Sequence, residues 1–290
     1  PRYRLHRNRP TSQDLANQWS NSVLFPQNDA LMELDAAPTS PDAYGHILQT
    51  LDVVNAGAAA VDCFIGGLFP ASIWCAGPYD VSATPDFYVD DTTDAQDVGA
   101  ADFLVGADGQ ADGIFVASTR KFNVFVSDVS TAGTAGLTWT WTYWNGSSYA
   151  ALNSVVVDVN YMDATIEMTH LWDIPPDWAA STGAAGEGGI DVNDATSATQ
   201  STLTGLYIIR GINSGPATAP ILSQLHVGRL RYTAFAVAAG GTSHAHNINQ
   251  PVCGNDERLV AILSAADTAG ANVRVLVNTE VTNFAQTLGA

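Results

Sequence analysis

Few segments of this chain permit a long helix, and several permit only a strand. RKFNVFVSDVS (Arg120–Ser130) sets Phe122, Val124 and Val126 alternating with Lys121, Asn123 and Phe125. TWTWTYW (Thr138–Trp144) alternates threonines with rings. A period of two sends successive side chains to opposite faces of a pleated strand, whereas a helix needs a period near 3.6. The same reading extends to LMELDAA, HILQTLDVV, AVDCFIGGLF, SVVVDVN, ATIEMTHLWDI, GLYIIRGI, RLRYTAFAVAA, ERLVAILSAA and NVRVLVNTEV, each bounded by Gly, Pro, Asp or Asn. The last two are expected to form a hairpin through ADTAGA. Pro175-Pro176 blocks a helix before Asp177, and IPPDWAAST reads as a turn with at most one helical turn.

Composition agrees. Apolar residues are 46% and charged residues only 14% of the 290, and Lys121 is the single lysine, so the cations that dress exposed helices are missing. The expectation is an all-β chain of antiparallel β-sandwich, jelly-roll-like domains with an extended N-terminal arm. The arm is 1–22. Residues 23–88 plus 226–290 form one β-domain from the two flanks, and 89–225 form a module inserted into it.

Net charge is −18, which repels nucleic acid and anionic membrane, and points weakly to a saline source. The basic residues are unevenly placed: Arg2, Arg4, Arg7 and Arg9 supply four of the eleven. No long apolar run follows them, so the arm reads as a segment that docks on an acidic protein groove, not as a signal peptide or anchor. Cys63, Cys75 and Cys253 make no zinc pattern and are expected as buried thiols, with a Cys63–Cys75 bridge open only if their strands are adjacent.

In TWTWTYWNGSSYAAL, Trp139, Trp141 and Tyr143 share one strand face, and Thr138, Thr140, Thr142 and Trp144 the other. Asn145-Gly146 suits a two-residue type I′ turn, which places Trp144 opposite Ser147 and Thr142 opposite Tyr149. Trp144 and Tyr149 then touch diagonally. Two uses compete for these rings: a sandwich core, the stronger reading, or a sugar-stacking platform of Trp139, Trp141, Trp144 and Tyr149.

Five segments occur in order: DDTTDAQD, DGIFVASTRKFNVFVSDVSTAG, TWTWTYWNGSSYAAL, IPPDWAAST and GLYIIRGINSG. Together, over Asp90–Leu225, they resemble a module of structural proteins of tailed bacteriophages and related archaeal viruses. Tyr149 stands where that hairpin often has Trp, and Leu206-Tyr207-Ile208-Ile209-Arg210 replaces a Tyr-Trp-Ile-Arg run. The resemblance implies a virion β-sandwich. The expected function is a non-enzymatic decoration or accessory subunit on a capsid surface. Its expected partners are the major capsid protein or another virion protein and further copies of itself, as a trimer. The rival is a carbohydrate-binding adhesin on a tail fibre or baseplate.

Other candidates have plain readings. His244 and His246 in TSHAHNINQ would share a strand face, but a metal needs more ligands, and a polar loop is expected. DDTTDAQD and DVNDATSAT lack the Gly and terminal Glu of a helical calcium loop and read as solvated turns. No Gly-x-Ser-x-Gly elbow or phosphate-cradling loop is present in the sequence. No catalytic residue, metal or cofactor is expected.

Overall fold

The computed structural model describes residues 18–24, 30–35, 44–70, 73–80, 87–97, 99, 103–105, 112–157, 161–182, 191–192, 204–252, 258–264 and 273–283. The described residues are almost entirely β, in three sheets, as the alternation implies. The central sheet runs in the order β12 (Ser154–Val157), β13 (Glu167–Trp172), β9 (Val124–Thr131), β16 (Ile221–Val237), β4 (Val61–Pro70), β18 (Arg258–Leu263) and β2 (Leu31–Asp35). The short β7 (Phe103–Leu104) also pairs with β16. A second sheet runs β11 (Tyr149–Ala151), β10 (Trp139–Trp144), β15 (Tyr207–Asn213), β8 (Gly113–Ser118), β5 (Ile73–Asp80), β6 (Phe87–Tyr88) and β14 (Asp191–Val192). The third is β1 (Gln18–Leu24), β19 (Val273–Asn283), β3 (Tyr44–Asn55) and β17 (Thr242–Val252). Among the described residues all pairings are antiparallel except β14 with β6.

β16 organises the molecule. Along one face its first half sends Leu222, Leu225 and Val227 into the core against the second sheet, beside Phe125, Trp141 and Ile209. Its second half sends Phe235 and Val237 into a separate core against the third sheet, beside Val53, Val273 and Val275. One strand therefore serves two sandwiches, and it crosses residues 225 and 226, where the inserted module was expected to end.

The other face of the central sheet has its own apolar cluster. Phe64, Leu68, Val124, Val126, Leu171, Leu230, Val260 and Ile262 are buried there, with Leu31 and Val156 from the two edge strands packed against them. A flat sheet cannot bring its two edges to one cluster. The sheet is rolled, and Glu167 on β13 fastens it: its carboxylate accepts from the backbone N–H of Ala30 (2.9 Å) and of Leu31 at the far edge (3.0 Å). Strong twist makes such rolling the normal outcome for a sheet of this width.

Four expectations are corrected. The segment from Asp90 is not all loop: Thr92–Gln96 is a short helix, α1, whose Ala95 is buried in the first core. Asp90 Oδ1 accepts from Thr92 N at 3.1 Å, and Thr92 Oγ1 accepts from Ala76 N at 3.0 Å, so local polar bonds hold the turn. TSHAHNINQ is strand β17, not loop, with a register shift between His246 and Gln250. β18 and β19 are not a hairpin; they belong to different sheets. Residues from Gln18 onward form β1 against β19, within the segment expected as arm. Cys63 and Cys75 lie on strands of different sheets, and Cys63 is free and buried.

Candidate functional site

The aromatic hairpin is built differently from the expectation. Trp144 pairs with Tyr149, Tyr143 with Ala150 and Thr142 with Ala151, so the loop is Asn145–Ser148, four residues and not two. The Asn145 carboxamide oxygen accepts from Ser147 N (2.9 Å), Ser147 Oγ (3.0 Å) and Ser148 N (2.9 Å), and Asn145 N donates to Ser148 O at 3.1 Å. An Asn that caps its own turn competes well with the two-residue alternative. Gly146 takes φ +96°, a conformation side chains disfavour. Trp144 and Tyr149 still touch, as direct partners at 5.5 Å between ring centroids.

The rings separate by strand face as the alternation requires. Trp141 and Tyr143 enter the first core, with Trp139 packed at its margin. Trp141 is only 6% exposed. It lies against Phe125 (5.1 Å) and His170 (4.5 Å), and Trp139 stacks on it at 5.2 Å and 16°. Its pairing partner is Gly211, where any Cβ would stand 2.4 Å from the indole, so the glycine makes room for the ring. Trp139 Nε1 donates to Tyr161 O at 2.8 Å. Trp144 is buried on the opposite face with Tyr79, Phe115 and Ile208.

The candidate glycan residues are therefore not a coplanar exposed set. Trp141 and Trp144 are core, while half-buried Trp139 and Tyr149 lie on opposite faces of the hairpin's sheet. Tyr149 is covered by a cation: Arg210 Cζ sits 3.8 Å from its ring centroid. The guanidinium also donates to Tyr79 Oη (3.0 Å) and Thr142 Oγ1 (3.2 Å). This Tyr–Arg–Tyr ladder crosses β11, β10, β15, β8 and β5 and stiffens that face through cation–π contact.

His170 is a fully buried titratable group within the aromatic core. Its Nε2 is 2.8 Å from Ser154 Oγ, and Phe125, Trp141 and Trp172 surround its ring. Burial drives its pKa down to about 3, so it is neutral at physiological pH. The Ser–His contact joins edge strand β12 to β13. His226 is also held below its ordinary value, by burial and by Arg258, against the opposing pull of Asp128.

A charged feature escaped the sequence reading. Between the two sandwiches Arg229 and Arg231 stand exposed on the face of β16 that carries both cores. Phe69 is the neighbour of Arg229 on β4, and the Arg231 guanidinium lies 5.7 Å from its ring. Exposed Arg120 and half-buried Lys121 lie in the lip that connects β8 to β9. Asn123 pins that lip, with Asn123 N donating to Gly228 O at 3.0 Å, Leu230 N donating to Asn123 Oδ1 at 2.7 Å, and Asn123 Nδ2 donating to Leu230 O at 3.1 Å. Lys121 Nζ rests 5.5 Å from the Tyr207 ring. The available signal was the alternation Arg229–Leu230–Arg231 in a long strand, where both cations share a face.

The docking-arm residues Arg2, Arg4, Arg7 and Arg9 lie outside the described residues, as does most of DVNDATSAT. Among the described residues no three His, Cys, Asp or Glu side chains are grouped to hold a metal. No described helix is long and apolar enough to cross a membrane. The chain matches no protein-family model and no curated protein.

Proposed function

We propose that this chain is a non-catalytic structural subunit of a virus particle, an accessory or decoration protein that docks on a capsid through its basic N-terminal arm and assembles with copies of itself. The observation that carries the reading is how the aromatic segments are used. The ordered series that resembles the phage and archaeal-virus module contributes Phe122, Phe125, Trp141, Tyr143 and Trp178 to one continuous core. Rings that pack against one another stabilise a rigid body, and rigidity is what a shell component must supply. The rolled central sheet supports the same reading, since it hydrogen-bonds β9, β12 and β13 of the resembling stretch into one sheet with β4, β18 and β2 of the flanks.

The arm's chemistry sets the docking mode. Four arginines within Pro1–Arg9 lie on a chain of net charge −18, so a protein groove lined by carboxylates is the favoured surface. Ordering the arm costs about 1–2 kcal/mol per residue, so ion pairs must act together with burial of Tyr3 and Leu5. The test is co-sedimentation with capsids that lack the protein, comparing the full chain with one lacking residues 1–10. Loss of occupancy on deletion is expected. Equal occupancy would remove the docking role of the arm, and no binding by either form would remove the capsid assignment.

A further inference from the structure

By sequence, the His-Ala-His run of TSHAHNINQ has no further ligand; in the fold a carboxylate stands beside it in register. β17 is the outer strand of the third sheet and pairs with β3, Thr242 with Val54, Ser243 with Val53, His244 with Asp52 and His246 with Thr50. Direct partners in an antiparallel pair share a face, and so do residues two apart on one strand. His244, His246 and Asp52 therefore belong to one face. Thr242 and Arg274, the partners of Val54 on its two sides, lie on that face and are exposed, and Asp52 is half-buried. Val53, Val273 and Val275 occupy the opposite face and fill the second core. Beyond Ser243 the side chains of β17 lie outside those described, and the backbone register alone places the two histidines. That register sets them about 7 Å apart along the strand, with Asp52 about 5 Å across from His244, Cβ to Cβ.

We propose that the juxtaposition of His244, His246 and Asp52 on the outer face of the third sheet binds a divalent transition-metal ion of the zinc class. Imidazole and carboxylate are donors that such ions take, and three protein ligands with water completing the shell is an established zinc arrangement. A carboxylate has two oxygens, so ligation through one leaves the other able to keep a hydrogen bond. The place suits a fastening. Regular pairing of β17 with β3 breaks between His246 and Gln250, and the pairing of β3 with β19 shifts between Asn278 and Thr279, beside Thr50. An ion spanning β17 and β3 holds the last regular rungs before that irregularity, on a strand that pairs on one side only among the described residues. A net charge of −18 raises the local concentration of cations around the chain. The ion's role is to stabilise the fold, and it holds whatever surface the chain docks on.

The test is isothermal titration of the untagged full-length chain with zinc chloride, together with thermal unfolding in zinc and in EDTA. The wild type is expected to bind zinc, and zinc should raise its unfolding temperature by binding the folded state. His244→Gln, His246→Gln and Asp52→Asn should each weaken zinc affinity by about tenfold or more and remove the thermal shift. His6→Gln, in the arm, should leave both unchanged. Circular dichroism in EDTA checks that each variant folds. The wild type supplies a second readout that needs no variant: zinc should protect His244 and His246 from acylation by diethyl pyrocarbonate, read by peptide mass spectrometry, and leave His6 reactive. No zinc binding by the wild type, or binding and protection that do not involve these residues, would overturn the site. Loss in both histidine variants with Asp52→Asn unaffected would reduce it to an adventitious histidine pair and overturn it equally.

Discussion

At the scale of single residues, the aromatic core is organised by two glycines that make room beside its rings and by a buried imidazole among them. Gly211 lets the Trp141 indole lie on the strand beside it, and Gly113 lets β8 approach β15 so closely that a Cβ there would stand 1.7 Å from Gly211 O. His170 fills a ring-lined site as a neutral imidazole, which has a consequence for stability. Its folded pKa, about 3, lies below the unfolded value of 6.5. Between those values the unfolded chain binds the extra proton, so stability is full above pH 6.5 and falls as pH drops toward 3. His226, also held down, acts in the same direction. Replacing His170→Gln should remove one proton's share of this slope, about 1.4 kcal/mol per pH unit. Urea unfolding of both proteins at pH 6.5 and 4.5 measures it. Equal pH dependence would show that His170 is not the buried neutral group described.

At the scale of elements, closure of the central sheet depends on Glu167. Its carboxylate supplies two charge-assisted hydrogen bonds to the backbone of the opposite edge strand, a class of bond worth about 1.5–3 kcal/mol. Glu167→Ala should cost stability in that range. Amide exchange should accelerate first at Ala30 and Leu31, which lose their acceptor, while the amides of β10 and β15 keep their protection. Uniform acceleration over all three sheets would mean that the bond is a general packing contact and not an edge fastening. The hairpin shows a related lesson. Asn145 was legible as a turn residue, yet its side chain, by accepting three hydrogen bonds, selects a longer loop than the Asn-Gly pair suggests.

At the scale of the molecule, the two sandwiches share a sheet, and β16 passes through both cores. Neither can be unfolded without unpairing the strand that holds the other. Calorimetry of the described body should therefore show one transition, with calorimetric and van't Hoff enthalpies in agreement. Two resolved transitions would show that the cores are independent despite the shared strand. The charge distribution belongs to this scale too. Arg229 and Arg231 stand exposed between the two cores because the strand that carries them runs through both.

Much of this was present in the residues read one after another. The two-residue period decides strand and face, so Trp141 with Tyr143 falls on one side of the strand and Trp144 on the other. Local chemistry supports such inferences because a strand's alternation is a property of its own backbone. Partnership is different. Backbone N–H and C=O groups are the same in every strand, so nothing near Arg258–Leu263 says that it pairs with β4 and not with β19. The rolled sheet, the fastening of Glu167 to Ala30 and Leu31, and the tie of Asn123 to Gly228 and Leu230 were decided by long-range packing alone. The side chains that meet there are distant in sequence, and only burial of both faces of the central sheet brings them together.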